Sequence, residues 1–280
     1  MQQTNANTWP GVVTLIGCGP GDPELLTIKA VKRIGAADVL VTDRLVSPEI
    51  VALAGGDAVV IDAGKEPGGR RMPQDEINRI LVREALKGRR VARLKGGDGF
   101  VFGRAAEEMA AVRAAGVMVE IIPGITSAHA CAASIALPLT LRESVRQFSI
   151  VTGATATGVP DLDWAQLSRP GQAFAIYMGV RNAAAIRDKL LDAGADPATP
   201  VVIVENGTLA AERAIETNLD ALASALHTLA VSGPAVIFVG DIQHRRRLDR
   251  QLLHLRILTD TLGAWSRSAA PTSSRIGSEG

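Results

Sequence analysis

Residues 12–23 read Val12-Val13-Thr14-Leu15-Ile16-Gly17-Cys18-Gly19-Pro20-Gly21-Asp22-Pro23. An aliphatic run stops at a glycine- and proline-rich cluster, and a helical pattern then starts at Thr27 and ends near Ile34. That is a strand, a loop and a helix, with Thr27 as N-cap and Gly35 as terminator. The unit recurs outward from this point. Further strands are expected at Asp38–Val41, Ala58–Asp62, Val91–Leu94 and Val117–Ile122, and helices near Pro48–Ala54, Pro73–Leu86 and Gly103–Ala115. Short strands alternating with crossover helices predict a parallel sheet of five strands by residue 122.

Pro123-Gly124 punctuates the chain, a helix is expected through Ala136, and Pro138 with the polar segment Arg142–Gln147 marks a connector. Beyond it the pattern restarts, with strands at Phe148–Thr152, Ala173–Met178, Val201–Glu205, Ala214–Thr217 and Ala235–Val239 and helices at Asn182–Ala193 and Leu219–Leu229. The run Thr208–Thr217 leaves too little room for a crossover helix, so a hairpin and a mixed sheet are expected there. The resulting organisation is an α/β domain over 11–140, a second over 141–244, and a segment 245–280. In that last part the cluster His244-Arg245-Arg246-Arg247 leads into a helix candidate, Leu248–Leu258, and a tail expected to fray from Ser266.

Composition narrows the function classes. The 280 residues are 47% hydrophobic and 21% charged, which excludes disorder, collagen and a coiled coil as the main architecture. Thirty Lys+Arg against 29 Asp+Glu give a net charge of +1, so there is no bulk electrostatic case for a nucleic-acid or membrane-surface partner. Two distant cysteines, Cys18 and Cys131, suggest neither a disulfide framework nor a cysteine zinc site and fit a reducing compartment. Met1–Trp9 lacks the charged and apolar regions of a leader, and no apolar run approaches the ~18–20 residues of a membrane span, so a cytoplasmic, soluble protein is expected.

Three loops fall at strand carboxyl ends, where open α/β sheets bind ligands. The first, Gly17–Pro23, has GxGxG spacing, and Pro20 removes a backbone donor, so it is not the dinucleotide fingerprint; taken alone it reads equally as a tight turn. The second is Lys95-Gly96-Gly97-Asp98-Gly99-Phe100-Val101-Phe102-Gly103-Arg104. There Asp98 can accept hydrogen bonds, and the two Phe residues offer apolar faces unless they are core. The third is Pro123-Gly124-Ile125-Thr126-Ser127-Ala128, whose hydroxyls suit N-capping. Arg44, Lys65, Arg70, Arg71, Arg104, Arg142 and Arg146 fall on expected loops. Each reads singly as a solvated charge, and together they suit a ligand with several carboxylates. His129, His227, His244 and His254 show no ligand spacing, so no metal is expected, and neither a nucleophile elbow nor a phosphate-binding P-loop occurs. Cys18 has no partner base nearby and reads as a small filler.

These residues, in this order, resemble the tetrapyrrole methylase family, in particular its uroporphyrinogen-III C-methyltransferase branch. The likeness runs from Val12 to Asp241. It rests on GCGPGDPELLT (17–27), DRLVS (43–47), PQDEIN (73–78), RLKGGDGFVFGRAAEE (93–108), PGITSA (123–128), PLTLR (138–142), YMG (177–179), VENGT (204–208) and SGPAVIFVGD (232–241). The resemblance implies two α/β lobes of the tetrapyrrole methylase type, an N-terminal parallel five-stranded sheet and a C-terminal mixed sheet, with the active site in the cleft between them. It implies a homodimer that methylates uroporphyrinogen III at C2 and C7 with S-adenosyl-L-methionine, giving precorrin-2 by way of precorrin-1 and S-adenosyl-L-homocysteine as the second product. By that analogy Pro20, Gly96, Gly97, Asp98, Val101, Phe102, Thr126, Ser127, Met178, Asn206, Gly207, Pro234 and Ala235 surround the cofactor. Asp43, Arg44, Arg104, Glu107, Arg142 and Met178 face the substrate, with Asp43, Arg104 and Glu107 as the catalytic candidates.

The chemistry suits this inventory. A pyrrole β-carbon attacks the sulfonium methyl in line, so the protein chiefly aligns two ligands and excludes water. The cationic ring must then lose a proton. A guanidinium with a pKa above ~12 is a poor acceptor, so Arg104 reads as a carboxylate clamp and Glu107 or Asp43 as the easier base. The chain departs from the usual pattern at Thr42, Glu66, Arg70 or Arg71, Gly99, Ala105-Ala106, Leu141 and Ala154, mostly on the substrate side. The competing readings are a later corrin-ring methylase and a non-catalytic paralogue that binds the cofactor or a tetrapyrrole. A nucleotide-dependent oxidoreductase lacks its fingerprint.

Overall fold

A computed structural model describes residues 11–64 and 72–241. Lys65, Glu66, Arg70, Arg71, the cluster 244–247, the helix expected over 248–258 and the tail from 266 lie outside the described residues. The first sheet contains β1 (Val12–Gly17), β2 (Val39–Thr42), β3 (Val59–Asp62), β4 (Val91–Lys95) and β5 (Met118–Ile122), all parallel, in the order β3-β2-β4-β1-β5. β1, β2 and β4 are buried along almost their whole length, as strands covered by helices on both faces must be.

Helix α1 (Ile28–Gly35) and the short α2 (Pro48–Val51) cover one face, where Ala30, Ile34 and Ile50 pack on Ile16, Leu40 and Leu94. Helices α3 (Gln74–Leu86) and α4 (Ala105–Ala114) cover the other, with Ile77, Leu81 and Val112 against Val13, Leu15 and Val41. Thr27 caps α1 as expected, its Oγ1 accepting Ala30 N–H at 3.1 Å. From β1 the chain crosses to β2 on one side, and from β4 it crosses to β5 on the other. Adjacent strands whose connections run in opposite directions form a topological switch point, the crevice where such sheets bind ligands.

Helix α5 (Ser127–Ser134) leaves the first sheet and packs Ala128, Cys131 and Ala132 beneath the second. That sheet holds β6 (Gln147–Thr152), β7 (Gln172–Tyr177), β8 (Pro200–Glu205), β9 (Arg213–Asn218) and β10 (Ala235–Gly240), in the order β6-β7-β10-β8-β9. β6 and β7 are parallel and the remaining pairs antiparallel, so the sheet is mixed, and β8–β9 is the hairpin that the short spacing predicted. The four-residue α6 (Trp164–Leu167) was not expected; α7 (Ala183–Asp192) and α8 (Leu222–Thr228) close the outer face around Ile186, Leu190, Leu222 and Phe174.

Several element boundaries differ from the expected ones by one to three residues, and two of them fall at left-handed residues. The strand expected to reach Met178 stops at Tyr177 because Met178 has φ +58°, and the helix expected from Gly103 starts at Ala105 because Arg104 also has φ +58°. Left-handed backbone cannot continue either element. Among the described residues no helix is long and apolar enough to cross a membrane.

One ion cluster ties α1 to β5. Glu120 accepts from Arg33 Nε at 2.7 Å and Nη2 at 3.1 Å and pairs with Lys29 Nζ at 2.7 Å. The Arg33 hydrogen bonds, with Lys29, hold its carboxyl down to about 2 from the ordinary 4.5. A depressed carboxyl stabilises the fold above its unfolded pKa and loses that contribution as pH falls through the folded value. Glu120→Gln is therefore expected to lower the urea unfolding free energy by about 1 kcal/mol at pH 7, the pair being partly screened by solvent. The difference from the parent should shrink between pH 4.5 and about 2.

Candidate functional site

The three glycine-rich loops meet. Gly19 and Gly97 exchange backbone hydrogen bonds, N–H to carbonyl at 3.1 Å and 2.6 Å, and Cys18 N–H reaches Lys95 carbonyl at 2.8 Å. A Cβ on Gly17 would lie 2.8 Å from Gly124 Cα and 2.9 Å from Gly97 O, and one on Gly124 would lie 2.7 Å from Gly17 O. Backbone rests on backbone here, so only glycine fits. Asp98 fastens the contact: Oδ1 accepts Phe100 N–H at 2.8 Å and Oδ2 accepts Gly124 N–H at 3.0 Å. The carboxylate expected to reach out to a ligand thus first braces its own loop against the third one.

The second lobe closes on this floor. Tyr177, the chain's single tyrosine, ends β7 and sends its hydroxyl across to α5. It accepts Ala128 N–H at 2.6 Å and shares a hydrogen bond with Thr126 Oγ1 at 2.6 Å. Thr126 occupies the N-cap position without capping through its own side chain, so the tyrosine from the other lobe does the work expected of the local hydroxyl. Burial raises the Tyr177 pKa despite these partners, and its ring stands edge-on to Phe102 with centroids 5.7 Å apart.

Nearby, a Cβ on Gly207 would overlap Cys131 Sγ, and one on Gly21 would meet Leu209 Cδ2 at 2.7 Å, so the loop after β8 presses on both α5 and the first glycine loop. Asn206 N–H bonds Pro234 carbonyl at 2.9 Å, and buried Glu205 accepts Ser232 and Gly233 N–H at 2.8 and 2.7 Å while pairing with Arg213. Asn206, Gly207, Pro234 and Ala235 therefore form one turn cluster. Burial pushes the Cys18 and Cys131 thiols up to about 12, which leaves both as inert fillers.

Backbone strain gathers at the same place. Phe102, Arg104, Met178, Asn206 and Thr208 have φ between +52° and +68°, a conformation that costs a non-glycine residue energy and that clusters at functional sites. Phe102 and Met178 expose 44% and 52% of their surface, so two large apolar side chains stand open where buried positions would be expected.

The charged groups divide. Arg104 donates to Glu107 through Nε at 2.8 Å and Nη2 at 2.6 Å. That pairing raises the Arg104 pKa and lowers that of Glu107, which favours a permanent cation at 104 and weakens 107 as a base. Asp43 Oδ1 accepts from Arg93 Nη2 at 2.7 Å. Arg44 and Arg142 are exposed and make no ion pair among the described residues, as suits cations kept for a ligand. Arg44 packs beside Gly64, and Arg142 lies in the turn closed by mutual backbone hydrogen bonds of Leu141 and Val145. Among the described residues no group of three or more His, Cys, Asp or Glu side chains is arranged to hold a metal ion.

The structure thus brings together Gly97, Asp98, Phe102, Thr126 and Ser127, with Gly207 joined to them through α5 and Asn206, Pro234 and Ala235 in the same turn cluster; Pro20, Gly96, Val101 and Met178 are their neighbours along the chain. Sequence reasoning passed over Tyr177, Glu205, Arg93, Lys95 and Glu108. Arg93 and Lys95 did carry a signal: two cations on one face of a strand that has to be buried on both.

Comparison with known proteins identifies the family and the fold. The family described as Tetrapyrrole (Corrin/Porphyrin) Methylases matches residues 12–223. The siroheme synthase of Edwardsiella ictaluri is 45% identical over 234 residues, covering 83% of this chain and 50% of that protein, and that of Methylococcus capsulatus is 40% identical over 95% of this chain and 54% of its own. The chain spans about half the length of these curated relatives. Among solved structures, the uroporphyrin-III C-methyl transferase of Thermus thermophilus, crystallised with S-adenyl homocysteine, superposes with TM-score 0.71 at 36% identity over 83% of this chain and 98% of that one. A cobalt precorrin-4 methyltransferase superposes with TM-score 0.73 at 28% identity over 82% and 94%.

Two substitutions probe the junction. Gly124→Ala should cost about 3 kcal/mol or more in urea unfolding, or prevent folding, while Gly56→Ala, which meets nothing within 4 Å, should change stability by about 0.5 kcal/mol or less. Tyr177→Phe leaves Ala128 N–H without its partner and should cost about 1–3 kcal/mol by the same measurement.

Proposed function

The chain belongs to the tetrapyrrole (corrin/porphyrin) methylase family, and from that premise we propose that it is an S-adenosyl-L-methionine-dependent methyltransferase that converts uroporphyrinogen III to precorrin-2, by way of precorrin-1, through methylation at C2 and C7. The observation that carries this reading is the convergence of the 96–102, 126–127, 178 and 206–207 segments on one junction between two sheets. The residues fit the methyl donor. Glycine-lined backbone lets a ligand approach closely, and the open Phe102 and Met178 offer apolar surface to its uncharged parts. The bound donor supplies an electrophilic methyl group on sulfur.

The chain's own residues supply position and charge. The braced loops fix where the donor lies, so that orientation carries much of the acceleration. Arg44, Arg142 and Arg104 pair with acetate and propionate arms of the substrate, Arg104 through the guanidinium nitrogen that Glu107 leaves open. Asp43, one oxygen held and the other without a hydrogen bond among the described residues, faces the ring as it becomes cationic and is better placed than Glu107 to take the departing proton. A second reading, a later corrin-ring methylase, draws support from the superposition on the cobalt precorrin-4 enzyme. A homodimer and a cytoplasmic setting belong to the proposal as well.

Anaerobic incubation with uroporphyrinogen III and labelled S-adenosylmethionine should yield a product carrying two labelled methyls. Turnover only with precorrins already bearing two or more methyls would favour the corrin-ring reading, and bound but unconsumed cofactor would favour a non-catalytic binder. Arg44→Ala and Arg142→Ala should each raise the KM for the tetrapyrrole about tenfold or more and leave that for the methyl donor unchanged.

A further inference from the structure

A buried charge network lies behind the first glycine loops. Arg93 and Lys95 project from one face of β4 into the layer beneath α3 and α4, with side-chain exposures of 2% and 4%, and meet Glu108 of α4, which is 0% exposed. Arg93 Nε donates to Glu108 Oε1 at 3.0 Å, Lys95 Nζ to Glu108 Oε2 at 3.0 Å, and Gln74 Nε2 of α3 to Glu108 Oε1 at 3.1 Å. The other end of Arg93 donates to Val41 and Leu94 carbonyls at 3.3 and 3.1 Å and, through Nη2, to Asp43 Oδ1 at 2.7 Å. Of the four charged groups Asp43 alone reaches the surface, its side chain 30% exposed. Two cations and two carboxylates balance, and Arg93 meets a different partner with each of its three nitrogens.

Well-packed apolar residues commonly replace such buried ions at no loss of stability, so the network calls for a purpose other than holding the core. Its geometry supplies one. Arg93 is immobilised by the strand, by two carbonyls and by Glu108, and it grips one oxygen of the only member open to solvent. The carboxylate of Asp43 is left with a fixed direction and one oxygen without a protein hydrogen bond among the described residues. Burial opposes the charge of Arg93, but Glu108 and Asp43 outweigh it and keep the guanidinium protonated; burial and the neighbouring Arg93 lower the Lys95 pKa.

We propose that Arg93, anchored by Glu108, is a positioning residue that presents the Asp43 carboxylate to the tetrapyrrole, so that the core of the first lobe sets the charge at the reacting face. This rests on the reading of Asp43 as a substrate-facing group. The test is a double-mutant cycle. Arg93→Lys keeps the charge but cannot bridge both carboxylates, and it should lower kcat about 10- to 100-fold with the KM for the methyl donor, the affinity for S-adenosylhomocysteine and Tm near those of the parent. In an Asp43→Asn background the same change should cost no more than about twofold further, because the group it acts through is gone. Glu108→Gln should show the same kinetic pattern, with a lower Tm because Arg93 and Lys95 are left with one carboxylate between them.

Losses that multiply in the combined variants, or a fall in S-adenosylhomocysteine affinity that matches the fall in kcat, would overturn the proposal. So would failure of both Arg93→Lys and Glu108→Gln to fold, which would assign the network to stability. An Asp43→Asn enzyme as active as the parent would instead remove the substrate-facing reading itself.

Discussion

Gly17, Gly97 and Gly124 touch through their backbones, and nearly everything else at the junction follows from that contact. The sheet order puts β1 between β4 and β5, so the loops after these three strands emerge side by side. Any side chain at the meeting point would push them apart. The connections from β1 and β4 run in opposite directions, which makes the crevice at these loops a switch point. Asp98 then spends both carboxylate oxygens on neighbouring backbone N–H groups and makes the three loops one floor. A floor held in this way does not have to be ordered when a ligand arrives, which reduces the entropic cost of binding.

The second lobe is fitted to that floor at several points of different chemistry. Tyr177 supplies a hydrogen-bond acceptor to the start of α5, Cys131 fills the space that Gly207 leaves, and Leu209 lies over Gly21. The left-handed residues Phe102, Arg104, Met178, Asn206 and Thr208 border these contacts. Strain of this kind persists only where surrounding contacts over-determine it, and here it turns Phe102 and Met178 outward rather than into either core.

Much of the fold could be read from local pattern. Val12–Gly17 is almost wholly apolar because helices cover both faces, and the short run Thr208–Thr217 leaves room only for a hairpin. Glycine-rich strand ends marked the candidate site for the same reason they form it. What local pattern missed depended on partners distant in sequence. Thr126 looks like a cap, yet the hydroxyl that serves α5 belongs to Tyr177, 51 positions away. Arg93 looks like a strand-face charge, and its meaning requires Asp43, 50 positions back, and Glu108 on another element.

Elsewhere a hollow of about 510 Å³ opens at the amino ends of β1, β4 and β5, lined among others by Thr14, Arg33, Arg90 and Met118. Its arginines are already committed to Glu120 and Asp38, and no glycine lines it as glycines line the carboxyl-end junction. The two ends of one sheet therefore make opposite claims on a ligand, and a crystal structure with S-adenosylhomocysteine decides between them. The account predicts the ligand at the junction, in contact with Gly97, Phe102, Thr126, Met178 and Asn206. Density at the amino-end hollow, or against one lobe alone with Tyr177 and Thr126 untouched, would contradict it.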